Sequence, residues 1–257
     1  MAGVYALLAG LFTWGATALG AASVFWQKSP SERSLETLMG FASGVMLAAS
    51  YFSLLAPALD FLEGEGVLRW YPLAVGFLLG VLFVKVIHEF VPHLPLGAQN
   101  DAEDNRLSLL VYSITIHNVP EGLAVGAAFA AAFSPTDNSA TVAGAMILAV
   151  GLALQNIPEG LAVSMPLLRG GVSQKRSFFY GQLSGIVEPI AALLGALAIA
   201  LIEPLMPYAL SFAAAAMIYV VVSELIPAVN RRGDAALANM GLVLGFVLMM
   251  VLDVGLG

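Results

Sequence analysis

The chain has 257 residues, of which 60% are hydrophobic and only 11% charged, with a formal net charge of −7. An ordinary globular domain carries about 25% charged residues, so a water-facing surface cannot be built here, and the composition specifies an integral membrane protein. The absence of cysteine excludes disulfides, thiolate metal sites and cysteine nucleophiles, and the excess of acid over base excludes a nucleic-acid partner.

A helix needs about 20 mostly apolar residues to cross the hydrocarbon. In chain order the stretches that meet this are 4–26, 36–59, 67–91, 107–132, 141–168, 178–203, 205–227 and 235–256. No basic residue precedes the first stretch, and it is too long for the apolar region of a signal peptide, so it reads as a span. The sixth and seventh meet at Glu203-Pro204 and Met206-Pro207, where two prolines predict a tight turn. The expected fold is all-α, with eight transmembrane helices and a single transmembrane domain over 1–257. The longest loop, LPLGAQNDAEDNR at 94–106, is polar and too short to fold alone.

Loop charges orient the spans through the positive-inside bias. Lys28 and Arg33 follow the first stretch, and Arg106 lies in the loop after the third. Arg169, Lys175 and Arg176 follow the fifth, and Arg231 and Arg232 follow the seventh. All fall on one side, whereas the opposite loops hold Arg69 alone and Lys85 lies within the third stretch. Both termini are therefore expected on the extracytoplasmic side of the cell membrane.

Ionisable groups inside a spanning helix are costly, and each is a functional candidate. The fourth stretch carries His117, Asn118 and Glu121 in HNVPEGLAVG; the fifth carries Gln155, Asn156 and Glu159 in QNIPEGLAVS; the sixth carries Glu188 in GQLSGIVEP. N-[VI]-P-E-G-L-A-V thus occurs twice, from Asn118 and from Asn156, in consecutive spans that run in opposite directions. Inverted repeats meeting near mid-membrane are a recurring design of transporter sites. His117 and Glu121 are four apart and share a helix face, as do Gln155 and Glu159, with Asn118 and Asn156 on the flank. At about 1.5 Å rise per residue, His117, Glu159 and Glu188 each lie about 15 Å from the inner end of their stretch, half of a ~30 Å core. Pro120 and Pro158 have no N–H for the carbonyls of Ile116 and Leu154, so broken helices with freed carbonyls are expected beside the acids.

Three carboxylates and an imidazole at one depth call for a cation. Imidazole, carboxylate and amide oxygen without sulfur suit zinc, iron(II), manganese or cobalt more than copper(I), and magnesium or calcium would make less use of the histidine. The charge also permits two divalent ions sharing Glu159 as a bridge. Mutual satisfaction of packed polar groups, with Gly122 and Gly160 allowing close approach, explains a lone amide better than it explains a duplicated His/Glu set.

At these residues the chain resembles the ZIP (Zrt/Irt-like) family of divalent-metal transporters, on the side of its bacterial GufA-type branch. HNVPEGLAVG, QNIPEGLAVSMPL and the glutamate of GQLSGIVEP look like that family's binuclear centre, and GFASGVMLAAS in the second stretch is also similar. The resemblance covers all eight spans and implies the same helix count and outside termini. It implies that His117, Glu121, Gln155, Glu159 and Glu188 hold one metal and that Asn118, Asn156, Glu159 and Glu188 hold a second. It places Met46 on the outer pathway and implies alternating access by elevator-like movement of one helix bundle against another. Many members have aspartate where this chain has Asn156, which implies a weaker or regulatory second ion. The histidine-rich loop common between the third and fourth helices is absent here.

His88, Glu89 and His93 in VIHEFVPH, and Glu224 in VVSELIP, fall at one membrane face, either as a metal-release station or as ordinary interfacial polarity. HEFVPH is not a zinc-protease motif: its histidines are five apart, about 140° round a helix, with Pro92 between them. Ser43 and Ser184 beside glycines read as packing residues rather than nucleophiles. Asp253 reads as interfacial, and Trp14, Trp26 and Trp70 as core or boundary aromatics.

The expected function is uptake of a divalent transition metal into the cytoplasm, zinc first, with iron, manganese, cobalt or cadmium as alternatives. The metal is substrate, not catalytic cofactor, and the protein is not expected to be an enzyme. The competing reading is an intramembrane metal-dependent hydrolase that activates water. Polar residues spread along several helices, from Met46 through the centre to Glu224, suit a pathway better than a cleft. The partners are metal ions and the lipid bilayer, with a homodimer left open.

Overall fold

The computed structural model describes residues 1–26, 31–62, 66–90, 102–133, 141–201, 205–227 and 236–256. Among them the secondary structure is entirely helical. Helix α1 (Ala2–Ala21) runs on through a 3-10 turn, Ala22–Phe25. Helix α2 (Glu32–Ala49) starts at Ser31, whose hydroxyl accepts from the Ser34 N–H at 3.1 Å and so satisfies one of the open donors of the first turn. It passes through a π-helical segment, Ser50–Leu55, into α3 (Ala56–Asp60). Helices α4 (Trp70–Phe90) and α5 (Ala102–Ala132) follow. Thr141 caps α6 (Val142–Arg169) by accepting from the Gly144 N–H at 2.9 Å. Then come α7 (Gln174–Leu183), α8 (Val187–Leu201), α9 (Met206–Val220) with a π-helical continuation Val221–Leu225, and α10 (Ala236–Leu256).

Among the described residues six segments are long and apolar enough to cross a membrane: Ala2–Phe25, Arg33–Asp60, Val142–Arg169, Gln174–Ala198, Met206–Ser223 and Ala236–Gly255. Trp70–Val86 is a shorter apolar helix. The expected turn at Glu203-Pro204 lies outside the described residues. Two expectations are corrected. Helices α5 and α6 run unbroken through Pro120 and Pro158, because a proline removes a single ladder bond, which packed neighbours can compensate. The break falls instead at 184–186, between α7 and α8.

Burial sorts the helices. The most apolar windows of the Arg33–Asp60 and α6 spans are each 67% buried, against 22% for α10, so α2 and α6 are central and α10 is peripheral. Helix α1 lies along α6 and α8, and α8 lies along α5; separately, α2 pairs with α10 and α4 with α9. Glycines account for the closeness within each set. A Cβ on Gly160 would collide with the Thr17 carbonyl, and one on Gly44 with the Leu242 carbonyl. Small residues that let backbones touch are how helices associate where lipid removes the hydrophobic drive. Across the two sets the contacts are side-chain packing in one apolar cluster that includes Val45, Met46, Leu148, Leu152, Met217 and Met249. Gly151, for example, faces only the flexible tip of Met249 and, farther off, Val45.

Candidate metal centre

Helical period places Asn118 and Glu121 on the inner side of α5, and Gln155, Asn156 and Glu159 on that of α6. Every one of these side chains is buried, as is Glu188 near the start of α8. The break before α8 has a local cause. Pro189 offers no N–H to the Gly185 carbonyl, so the Glu188 N–H turns to that carbonyl at 3.0 Å. The Ser184 carbonyl, deprived of its usual donor at Glu188, accepts instead from the Asn118 Nδ2 amide at 2.9 Å. The glycine at 185 leaves room for two side chains, since a Cβ there would stand 2.8 Å from Thr17 Oγ1 and 3.1 Å from Glu188 Oε1.

Amides and carboxyls alternate across the helix interfaces. Gln155 Nε2 donates to Glu121 Oε1 at 2.7 Å. Asn156 Nδ2 donates to Glu188 Oε2 at 2.8 Å and to the Thr13 carbonyl at 3.2 Å. Both partners of Asn156 are acceptors, so its nitrogen end must face them. Thr17 Oγ1 donates to the other Glu188 oxygen, Oε1, at 3.3 Å. Glu121 lies within Coulombic reach of Glu159 and Glu188.

What remains unmatched is all oxygen. Asn118 Oδ1, Glu121 Oε2, Gln155 Oε1, Asn156 Oδ1 and Glu159 Oε2 are buried without a hydrogen-bond partner among the described residues. A buried acceptor left unmade costs about 1–3 kcal/mol, and native structures hold few such groups. Five such acceptors, all on α5 and α6, suit a positive charge with oxygen affinity. Among the described residues no three His, Asp or Glu side chains already surround a common point at ligand distance; Gln155 and Asn156 stand against the carboxyls of Glu121 and Glu188.

His117 lies on α5, four residues before Glu121, but its side chain is outside the described residues, as are those of His88 and Glu224 and the whole of His93. Glu89 is exposed at the end of α4. Met46 is fully buried in the apolar cluster, apart from the polar centre. Asp253, read as interfacial, is half-buried and hydrogen-bonded to the Ser53 hydroxyl. With Asp60 and Thr141 these two line a cavity of about 180 Å³ between α3, α5, α6, α9 and α10.

Thr13 and Thr17 were not singled out. Their signal was available: two threonines four apart on an otherwise apolar helix share one face. Both are fully buried; Thr17 reaches Glu188 with its hydroxyl, and Thr13 meets Asn156 through its backbone carbonyl.

The family model described as ZIP Zinc transporter matches residues 97–253, which takes in the polar residues of α5, α6 and α8 and leaves out α1. The human zinc transporter ZIP11 is 41% identical, over 98% of this chain and 97% of its own length. The zinc transporter GufA of Myxococcus xanthus is 39% identical over 98% of each chain. The zinc transporter ZIPB of Bordetella bronchiseptica is 38% identical over 98% of this chain and 82% of its own.

Proposed function

The chain belongs to the ZIP family, and we propose on that premise that it carries divalent transition metal, zinc first, across the cell membrane into the cytoplasm. Five buried, unpartnered oxygens from α5 and α6 carry this reading. Among the described residues they are acceptors without donors, on residues that contribute two carboxylates and three amides. In this reading His117, Glu121, Gln155, Glu159 and Glu188 hold one ion, and Asn118, Asn156, Glu159 and Glu188 hold a second. Mixed nitrogen and oxygen ligands suit zinc, iron(II), manganese and cobalt. The hydrolase alternative gains nothing from the relatives, which are named as zinc transporters.

In this proposal eight spans cross the membrane with both termini outside. The cavity at Asp60 and Asp253 is the outer vestibule, two acids that concentrate cations before they reach the centre. The set α1, α5, α6, α7 and α8 moves as a unit past α2, α4, α9 and α10. Backbone-to-backbone glycine contacts support rigidity within each set, and the flexible Met249 tip at Gly151 supports sliding between them.

Full-length protein in proteoliposomes loaded with a zinc-sensitive dye should report saturable zinc entry. Vesicles that admit none of zinc, iron(II), manganese or cadmium would remove the proposal. Metal ligands must be deprotonated to bind, so protons compete for the same oxygens and for His117. Lowering the pH on the binding side from neutral to mildly acidic should therefore slow uptake; an unchanged rate would contradict carboxylate ligation.

A further inference from the structure

We propose that Thr17 of α1 is a positioning residue for metal binding: its hydroxyl holds Glu188 in the orientation from which the carboxylate faces the ion. The inference rests on the metal centre proposed above and adds to it a helix that contributes no ligand. Three observations support it. Thr17 Oγ1 donates to Glu188 Oε1 at 3.3 Å, with both side chains buried. On the same face of α1, one turn earlier, the Thr13 carbonyl accepts from Asn156 Nδ2, which in turn holds Glu188 Oε2. Each Glu188 oxygen is thus tethered, one directly by α1 and one through an amide that α1 orients. Finally, Gly185 leaves open the space through which Thr17 reaches Glu188; a Cβ there would stand 2.8 Å from the hydroxyl and 3.1 Å from the carboxylate.

A single hydroxyl proton has two acceptors within reach, Glu188 Oε1 at 3.3 Å and the Thr13 carbonyl at 3.4 Å. The Thr13 carbonyl is the acceptor within α1 and Glu188 Oε1 the acceptor across the interface, at nearly equal length. Because α1 packs along both α6 and α8, the tether travels with the ligands when the unit moves. Partners that orient metal-binding side chains typically contribute 10- to 100-fold in affinity, and a single neutral hydroxyl belongs at the lower end.

The test is titration of Zn2+ into the purified full chain in detergent, comparing wild type, Thr17→Val, Thr17→Ser, Glu188→Ala and the Thr17→Val/Glu188→Ala pair. Valine keeps the shape of threonine without the hydroxyl; serine keeps the hydroxyl. The expected result is about tenfold weaker binding for Thr17→Val, near wild-type binding for Thr17→Ser, and no added loss from Thr17→Val once Glu188 is gone. Thr17→Val equal to wild type while Glu188→Ala binds weakly would overturn the positioning role and leave the metal centre standing. Equal losses in the serine and valine variants, or full additivity with Glu188→Ala, would mean that Thr17 acts through packing alone. Wild-type binding untouched by Glu188→Ala would instead strike at the centre itself.

Discussion

Glu159→Ala should weaken zinc binding by roughly 100-fold or more, the scale on which removing one partner of a buried charge pair acts, about 3–5 kcal/mol. Asn156→Ala should weaken it by about tenfold. The asymmetry follows from what each group is doing. Glu159 is 3% exposed, and among the described residues its Oε2 has no hydrogen-bond partner, which leaves that oxygen free for an ion. Asn156 is neutral, and its nitrogen is already committed to Glu188 and the Thr13 carbonyl, leaving one amide oxygen to offer. A second signature has the opposite sign. Glu159 and Glu188 are buried carboxyls, and a buried carboxylate that no cation compensates is costly. Glu159→Gln, which keeps the shape and drops the charge, should therefore leave the metal-free protein at least as resistant to heating in detergent as wild type, while its metal-induced stabilisation disappears. Titration and melting curves read both. Equal affinities for Glu159→Ala and Asn156→Ala would show that Glu159 is not the main negative ligand.

The apolar stretches were readable because a bilayer demands about 20 consecutive apolar residues, and a glutamate or amide inside one is conspicuous. Helical period then sorts Glu121 with His117 and Glu159 with Gln155. Hydrogen bonding between helices is a different matter. Whether Gln155 meets Glu121, or Asn156 meets Glu188, depends on the axial register of helices joined only by packing. That register is set by contacts such as Gly122 against the Glu188 backbone and Gly20 against Ile157, between residues remote in sequence. A count from an assumed helix end is a weak substitute: α7 begins at Gln174, four residues before the stretch expected from hydropathy, because its first turn is polar. Proline misled in the same way. Pro120 and Pro158 look like breaks and are carried within continuous helices, whereas the interruption at 184–186 comes from Pro189 acting on a carbonyl four residues back, beside a glycine that lets the chain turn. The α1 threonines were overlooked because a hydroxyl in an apolar helix usually bonds its own backbone, as Thr13 does to Gly10; only the fold shows that Thr17 has a second acceptor on another helix.

Gly160→Ala should destabilise the protein by about 3 kcal/mol, the upper end of ordinary overpacking, and weaken metal binding as well. The added Cβ would run into the Thr17 carbonyl and stand 2.9 Å from the Ala21 nitrogen. Both are backbone atoms, so no side-chain rotation relieves the clash and α1 must back away from α6. Its withdrawal would carry Thr17 off Glu188 and the Thr13 carbonyl off Asn156, which ties a packing change to the chemistry of the centre. Gly15 is the internal control. It sits two residues from Thr17 on the same helix, yet a Cβ there meets nothing within 4 Å, so Gly15→Ala should be neutral or stabilising by up to about 1 kcal/mol through helix propensity. Gly151→Ala probes the other kind of contact. Its Cβ meets the Sδ and Cε atoms of Met249, which can swing aside, so fold stability should change little while the packing between the two helix sets changes. Melting in detergent should therefore rank Gly160→Ala far below Gly151→Ala, with Gly15→Ala at or above wild type. If Gly160→Ala melted alongside wild type and bound zinc as tightly, α1 would not be pressed against the metal-binding helices, and the link from helix packing to ligand geometry would fail.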